Sequence, residues 1–147
     1  MKLSKNFTIA ELCRTDTGLF NAPNTDQIMN LKVLCEQVLQ PLRDYYGAVT
    51  INSGFRSPAV NKAVGGASTS QHLRGEAADI VIKDVGNDEI WQYIKRNLPF
   101  DQLILEHVRQ NNPEGGWVHV SYAMRNRRQS LSCVAKGKYV QGLVYAK

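Results

Sequence analysis

The chain has 147 residues, enough for one compact domain with a hydrophobic core and too few for two. Its 43% hydrophobic and 21% charged residues are ordinary globular values, which excludes disordered, collagen-like and coiled-coil classes. A net charge of +5 favours anionic partners in general, and apolar runs such as residues 103–105 fall far short of the ~18 residues of a membrane span.

No apolar stretch follows the opening MKLSK, so no secretory signal is expected and the chain reads as a cytoplasmic product without membrane association. Cys13, Cys35 and Cys133 are odd in number and widely spaced. That argues against a disulfide framework and a CxxC metal site, and suits a reducing compartment. In chain order, Thr8 and Glu11 of TIAE fit a capping box. Apolar residues then recur at helical spacing over residues 25–46, with Pro41 predicted to kink that helix or split it. Residues 49–52 read as a short strand. Ser57 and Pro58 start a brief helix that Gly65 and Gly66 stop.

The second half is strand-rich. Residues 77–82 are apolar apart from Asp79. Asn87 is expected to cap a helix to about residue 97, with Ile90, Trp91 and Ile94 inward. Strands are predicted at 101–108 and 117–122 on either side of NNPEGG, and a small hairpin in the tail through Lys136 and Gly137. There is no internal repeat or low-complexity linker, so residues 1–147 form a single domain. The class is α+β, helices on one face of a mainly antiparallel sheet.

The chemistry gathers around two of three histidines. In SQHLRGEAAD, Gly75 lets the chain turn sharply out of the His72 loop into the strand that carries Asp79, so the two side chains can converge. Alternation in WVHVSY puts Trp117, His119 and Ser121 on one strand face and Val118, Val120 and Tyr122 on the other. A histidine and an aspartate in apolar strands are costly unless satisfied, and a metal would satisfy both. Two imidazoles and a carboxylate, with a fourth position for water, are a catalytic-zinc set, although the spacing alone is weak evidence.

The motif SxHxxGxAxD, present as Ser70, His72, Gly75, Ala77 and Asp79, is followed by WxH at Trp117 and His119 and preceded by SGFRSP at 53–58. This ordered set resembles the zinc D-Ala-D-Ala carboxypeptidase and endopeptidase family, peptidase family M15, and within it the small phage and prophage branch. The resemblance covers about residues 25–122 and leaves the tail, 123–147, unmatched. It implies the hedgehog/DD-peptidase fold, an antiparallel sheet flanked by helices, and one zinc ion held by His72, Asp79 and His119. Arg56 matches the arginine that faces the substrate carbonyl or carboxylate, where a planar guanidinium can neutralise an oxyanion. Ser70 stands beside the metal as a donor or orients the His72 loop, and Ser53 is a weaker candidate of the same kind.

Many members carry an acid three residues before the last zinc histidine, and that position here is Gly116. Glu11, Glu36 and Glu89 fall on helices, and Glu76 is expected on the face opposite Asp79, which leaves Glu106 and Glu114. Glu106 ends the strand DQLILE and is favoured as general base over the loop residue Glu114. Its alternative role is to orient a ligand histidine. His107 alternates to the far side of the strand and reads as structural or exposed.

The function implied is a monomeric zinc peptidase acting on peptidoglycan stem or cross-link peptides, as carboxypeptidase or endopeptidase. A phage or prophage lysis enzyme that reaches the wall after release or export fits the missing leader. A second reading is a non-catalytic zinc-stabilised binding or structural module. A third, a nucleic-acid binder, rests only on net charge and on Arg125, Arg127 and Arg128, and no nucleic-acid partner is expected.

Overall fold

The helices form where local chemistry satisfies their first amides, as the computed structural model of all 147 residues describes. Thr8 caps α1 (Ile9–Leu12), its hydroxyl accepting the Glu11 amide, but the reciprocal Glu11 contact of a full capping box is not made. The reciprocal box belongs instead to α2 (Thr25–Leu34), where Asn24 and Gln27 each bond the other's backbone amide. That helix runs on through a widened π turn at Cys35–Leu39 into α3 (Gln40–Tyr46). Pro41 has no amide to donate and its ring crowds the preceding turn, so the ladder slips by one residue and the helix continues. Ser57 caps α4 (Pro58–Ala63) as expected. For α5 (Asn87–Asn97) the cap position is Gly86; Asn87 is the first helical residue, and its side chain donates to the Gly115 carbonyl.

Six strands form one sheet: β1 (Thr50–Ser53), β2 (Ala77–Val81), β3 (Gln102–Glu106), β4 (Trp117–Ser121), β5 (Gln129–Ala135) and β6 (Lys138–Gln141). Their order is β1-β2-β4-β3-β5-β6, and every pairing is antiparallel except β3 with β5. The tail is thus part of the sheet, its predicted hairpin extending the edge beyond β3. The α+β class and the mainly antiparallel sheet are as expected. No helix is long and apolar enough to cross a membrane.

Strand alternation divides the sheet into two faces with different work. Ala78, Ile80, Leu103, Leu105, Val118 and Val120 point to the helices and join one apolar core with Leu31, Leu34, Val38, Leu42, Ile90 and Ile94. Burying each large aliphatic side chain there is worth about 1.5–3 kcal/mol. The register places Asp79 opposite His119, His119 opposite Ile104, and Glu106 opposite Cys133, so these residues share the other face. A bulge between Ile51 and Ser53 brings Ser53, rather than Asn52, opposite Asp79.

Candidate metal centre

The site lies on the sheet face away from the main core, in an open cleft of about 1170 Å³. His72 sits in a 3-10 turn, Gln71–Arg74, whose entry is capped by Ser70: the Ser70 hydroxyl accepts the His72 amide at 3.2 Å. Gly75 closes the turn with φ 73°, and a β carbon there would meet the Gln27 carbonyl oxygen at 2.6 Å. Only glycine combines that backbone with so close an approach to α2. Gln27 and Asn30 of α2 donate to the carbonyls of Leu73 and Arg74, pinning the turn to the helix.

The two imidazoles meet at one carboxylate oxygen. His72 Nε2 lies 3.3 Å and His119 Nδ1 lies 3.0 Å from Asp79 Oδ1. The other His72 nitrogen, Nδ1, is 2.7 Å from the Gly54 carbonyl oxygen. A carbonyl can only accept, so Nδ1 carries a proton, and Nε2, on the Asp79 side, is the nitrogen left to offer a lone pair to an ion. The donor atoms of His72, Asp79 and His119 all lie within 4.8 Å of one another. Asp79 is 8% exposed and His72 3%. Burial pushes the Asp79 carboxyl up, but the imidazoles of His72 and His119 outweigh it and hold the group well below the usual carboxylate range. A buried carboxylate with two imidazole nitrogens aimed at it, one of them with its tautomer set by a backbone oxygen, is a donor set that fits a single zinc ion.

Arg56 approaches from the β1–α4 loop. Its Nε donates to Ser53 Oγ at 2.9 Å and its Nη1 to Asn61 Oδ1 at 3.3 Å, while Nη2 stands 3.3 Å from Asp79 Oδ2. Burial weakens the hold of this guanidinium on its proton, and Asp79 opposes that effect. Ser53 and Ser70 therefore serve as supports, one for Arg56 and one for the His72 turn.

Glu106 lines the same cleft and is 9% exposed, whereas Glu114 is exposed in the β3–β4 turn and does not line it. Burial raises the Glu106 pKa; the nearby His119 lowers it and Asp79 raises it. At Gly116 no acid can stand. Its φ is 70°, and a β carbon would collide with the Glu106 carbonyl and meet that of His107 at 2.8 Å.

Two expectations are corrected. Glu76 lies on the cleft side, its Oε1 2.9 Å from Arg74 Nε, because β2 begins only at Ala77 and strand alternation does not reach back to it. His107 does not turn to the far side of β3. Its φ of 56° ends the strand and brings its Nε2 to 3.9 Å from Glu106 Oε2.

Asp101 escaped the sequence reading. Its buried carboxylate accepts Arg127 N, Nε and Nη2 at 2.8, 2.9 and 2.8 Å and Gln71 Nε2 at 2.9 Å. This clamp joins the start of β3, the approach to β5 and the residue before His72. The available signal was an acid at the head of an apolar strand. Arg127 hydrogen bonding, with burial opposing it, holds the Asp101 carboxyl down at about 2. Arg128 bonds the carbonyls of Leu98 and Lys95 at the end of α5 and lies 4.4 Å over the Phe100 ring. Two of the three clustered arginines are thus engaged within the fold; Arg125 is exposed at the cleft.

Comparison with known proteins gives two findings. The sequence profile described as Peptidase M15 matches residues 5–121. Over 78 residues the chain is 38% identical to the zinc D-Ala-D-Ala carboxypeptidase of Streptomyces albus G, an alignment covering 51% of this chain and 31% of that protein. The match thus spans about a third of the relative's length.

Proposed function

The chain belongs to the peptidase M15 family, and on that premise we propose that it hydrolyses peptidoglycan peptides with one zinc ion held by His72, Asp79 and His119. The observation that carries this reading is the convergence of His72 Nε2 and His119 Nδ1 on Asp79 Oδ1 in an open cleft that Arg56 and Glu106 also line.

When bound, the ion supplies Lewis-acid polarisation of the scissile carbonyl and a water of lowered pKa. Glu106 accepts the proton of the attacking water and delivers it to the leaving amine nitrogen. Its burial supports that role, since a carboxylate of raised pKa is the stronger base. Arg56 presents guanidinium N–H groups to the oxyanion that develops on the carbonyl oxygen. Ser53 and Asn61 hold that guanidinium in place, and Ser70 and Gly54 hold His72. The Streptomyces albus G protein is named for carboxypeptidase action on D-Ala-D-Ala. We extend that reaction to this chain first, with cleavage inside the stem or cross-bridge as the other hydrolysis the assay distinguishes. A phage or prophage lysis role is the setting we attach to it.

The test is digestion of whole peptidoglycan by purified protein, with product masses read before and after chelation and after zinc is restored. Release of a terminal alanine identifies a carboxypeptidase, and larger stem fragments an endopeptidase. Zinc-loaded protein that releases nothing would replace this reading with a non-catalytic zinc-stabilised module.

A further inference from the structure

A second set of ligand-type side chains gathers on the same sheet face, across β3 and β5. In a regular strand His107 would leave the face that Glu106 occupies. Its left-handed backbone, φ 56°, instead returns the imidazole beside Glu106. His107 Nε2 lies 3.9 Å from Glu106 Oε2 and 3.9 Å from Cys133 Sγ. Cys133 is the register partner of Glu106 on the parallel strand, so its thiol is held to the same face. The three donor atoms lie within 4.8 Å of one another. Thiol and carboxylate are buried, while the imidazole side chain is 41% exposed and gives an ion a way in.

Thiolate, imidazole and carboxylate select zinc-class ions over magnesium or calcium, which prefer oxygen alone. Tetrahedral bonds of ~2.0–2.3 Å put neighbouring donors about 3.3–3.8 Å apart. The two 3.9 Å separations from His107 therefore need close by only a few tenths of an ångström, and the Glu106–Cys133 pair, within 4.8 Å, by roughly 1 Å at most. We propose that Glu106, His107 and Cys133 form a second divalent-metal site of the zinc class, separate from the His72, Asp79 and His119 set. On binding, the Cys133 S–H bond breaks, a sulfur–metal bond forms and the proton leaves to solvent. The thiol gives up its hydrogen bond to the Ala135 carbonyl, 3.2 Å away. The Glu106 lone pair goes to the ion, so excess metal suppresses hydrolysis. That last consequence rests on Glu106 being the base; the site itself does not.

The full-length protein titrated with cobalt(II) tests this, with bound metal measured after equilibrium dialysis and thiolate-to-metal charge transfer followed in the near ultraviolet. Two ions per chain and a thiolate band are expected. Cys133→Ser and His107→Asn should each remove the band and one ion and keep the other; asparagine tolerates the left-handed backbone at 107. One ion without a thiolate band overturns the second site and leaves the first intact. A band that survives both variants belongs to Cys13 or Cys35 and also overturns it. No bound ion defeats both sites. Two ions with the expected variant losses, but hydrolysis undiminished at excess zinc, keep the site and refute the withdrawal of Glu106.

Discussion

Arg56 pairs with Asp79 through the oxygen that the two imidazoles leave free: Nη2 stands 3.3 Å from Oδ2, while His72 and His119 both face Oδ1. One carboxylate therefore links the proposed ion to the proposed oxyanion donor. Removing the guanidinium by Arg56→Ala is expected to lower kcat about 10²–10³-fold, the usual effect of losing one oxyanion donor. Arg56→Lys should recover little, because a single ammonium cannot reach Ser53, Asn61 and Asp79 together. Steady-state kinetics with zinc content measured alongside checks this; loss of the ion in Arg56→Ala would make the residue a support for the metal instead.

Glu106 and Glu114 separate cleanly by substitution. Glu106→Gln keeps the shape of a buried side chain and removes its basicity, so kcat should fall by about 10²–10⁴ with the first zinc ion retained. Glu114→Gln, exposed in its turn, should leave kcat within about two-fold. Equal activity in wild type and Glu106→Gln would remove Glu106 from the chemistry.

The Asp101 clamp makes stability depend on acid. The folded pKa is about 2, below the ordinary value near 3.9 of an unfolded aspartate. A depressed carboxylate contributes stability that is fully present above about pH 4 and is lost as pH falls through about 2. With Arg127 half-exposed, the contribution is on the order of 1–2 kcal/mol after solvent screening. Denaturant melts of wild type and Asp101→Asn between pH 6 and 2 should show a gap that closes below about pH 4. A gap constant across that range would exclude the clamp as the cause.

Gly116 should accept no side chain. With φ 70° and the Glu106 and His107 carbonyls against its α carbon, Gly116→Ala should cost about 2 kcal/mol or more. In a chain of this size that lowers Tm by about 4–8 °C. Gly116→Glu should not restore hydrolysis to Glu106→Gln, since the acid cannot enter without displacing the strand end. A stable, active double variant would show that the β3–β4 turn yields more readily than its packing implies.

Much of this arrangement is legible along the chain wherever the deciding interactions are local. Ser57 before Pro58, the glycine pair after α4 and the alternation in WVHVSY each act over a few residues, and the structure follows them. The left-handed turn at Gly75, two residues before the Asp79 strand, is local in its backbone, although the close approach of the Gln27 carbonyl there is not.

Where the sequence reading departs from the structure, the cause is a partner distant in the chain or a backbone angle that side-chain pattern does not encode. Asp101 and Arg127 are 26 residues apart and look like a strand head and a solvated arginine until β3 and β5 lie side by side. Alternation places His107 on the wrong face because its left-handed φ breaks the period at the first residue after β3, inside the predicted strand. By itself, then, the sequence determined the turn and strand segments that carry His72, Asp79 and His119, the α+β class and the helical face of the sheet, products of short-range periodicity and capping. Only the tertiary structure decided which oxygen of Asp79 each partner takes, why Gly116 must stay bare and that Glu106 has a thiol and a third imidazole beside it. Those facts depend on strand register and on the close approach of backbones, which long-range packing alone sets.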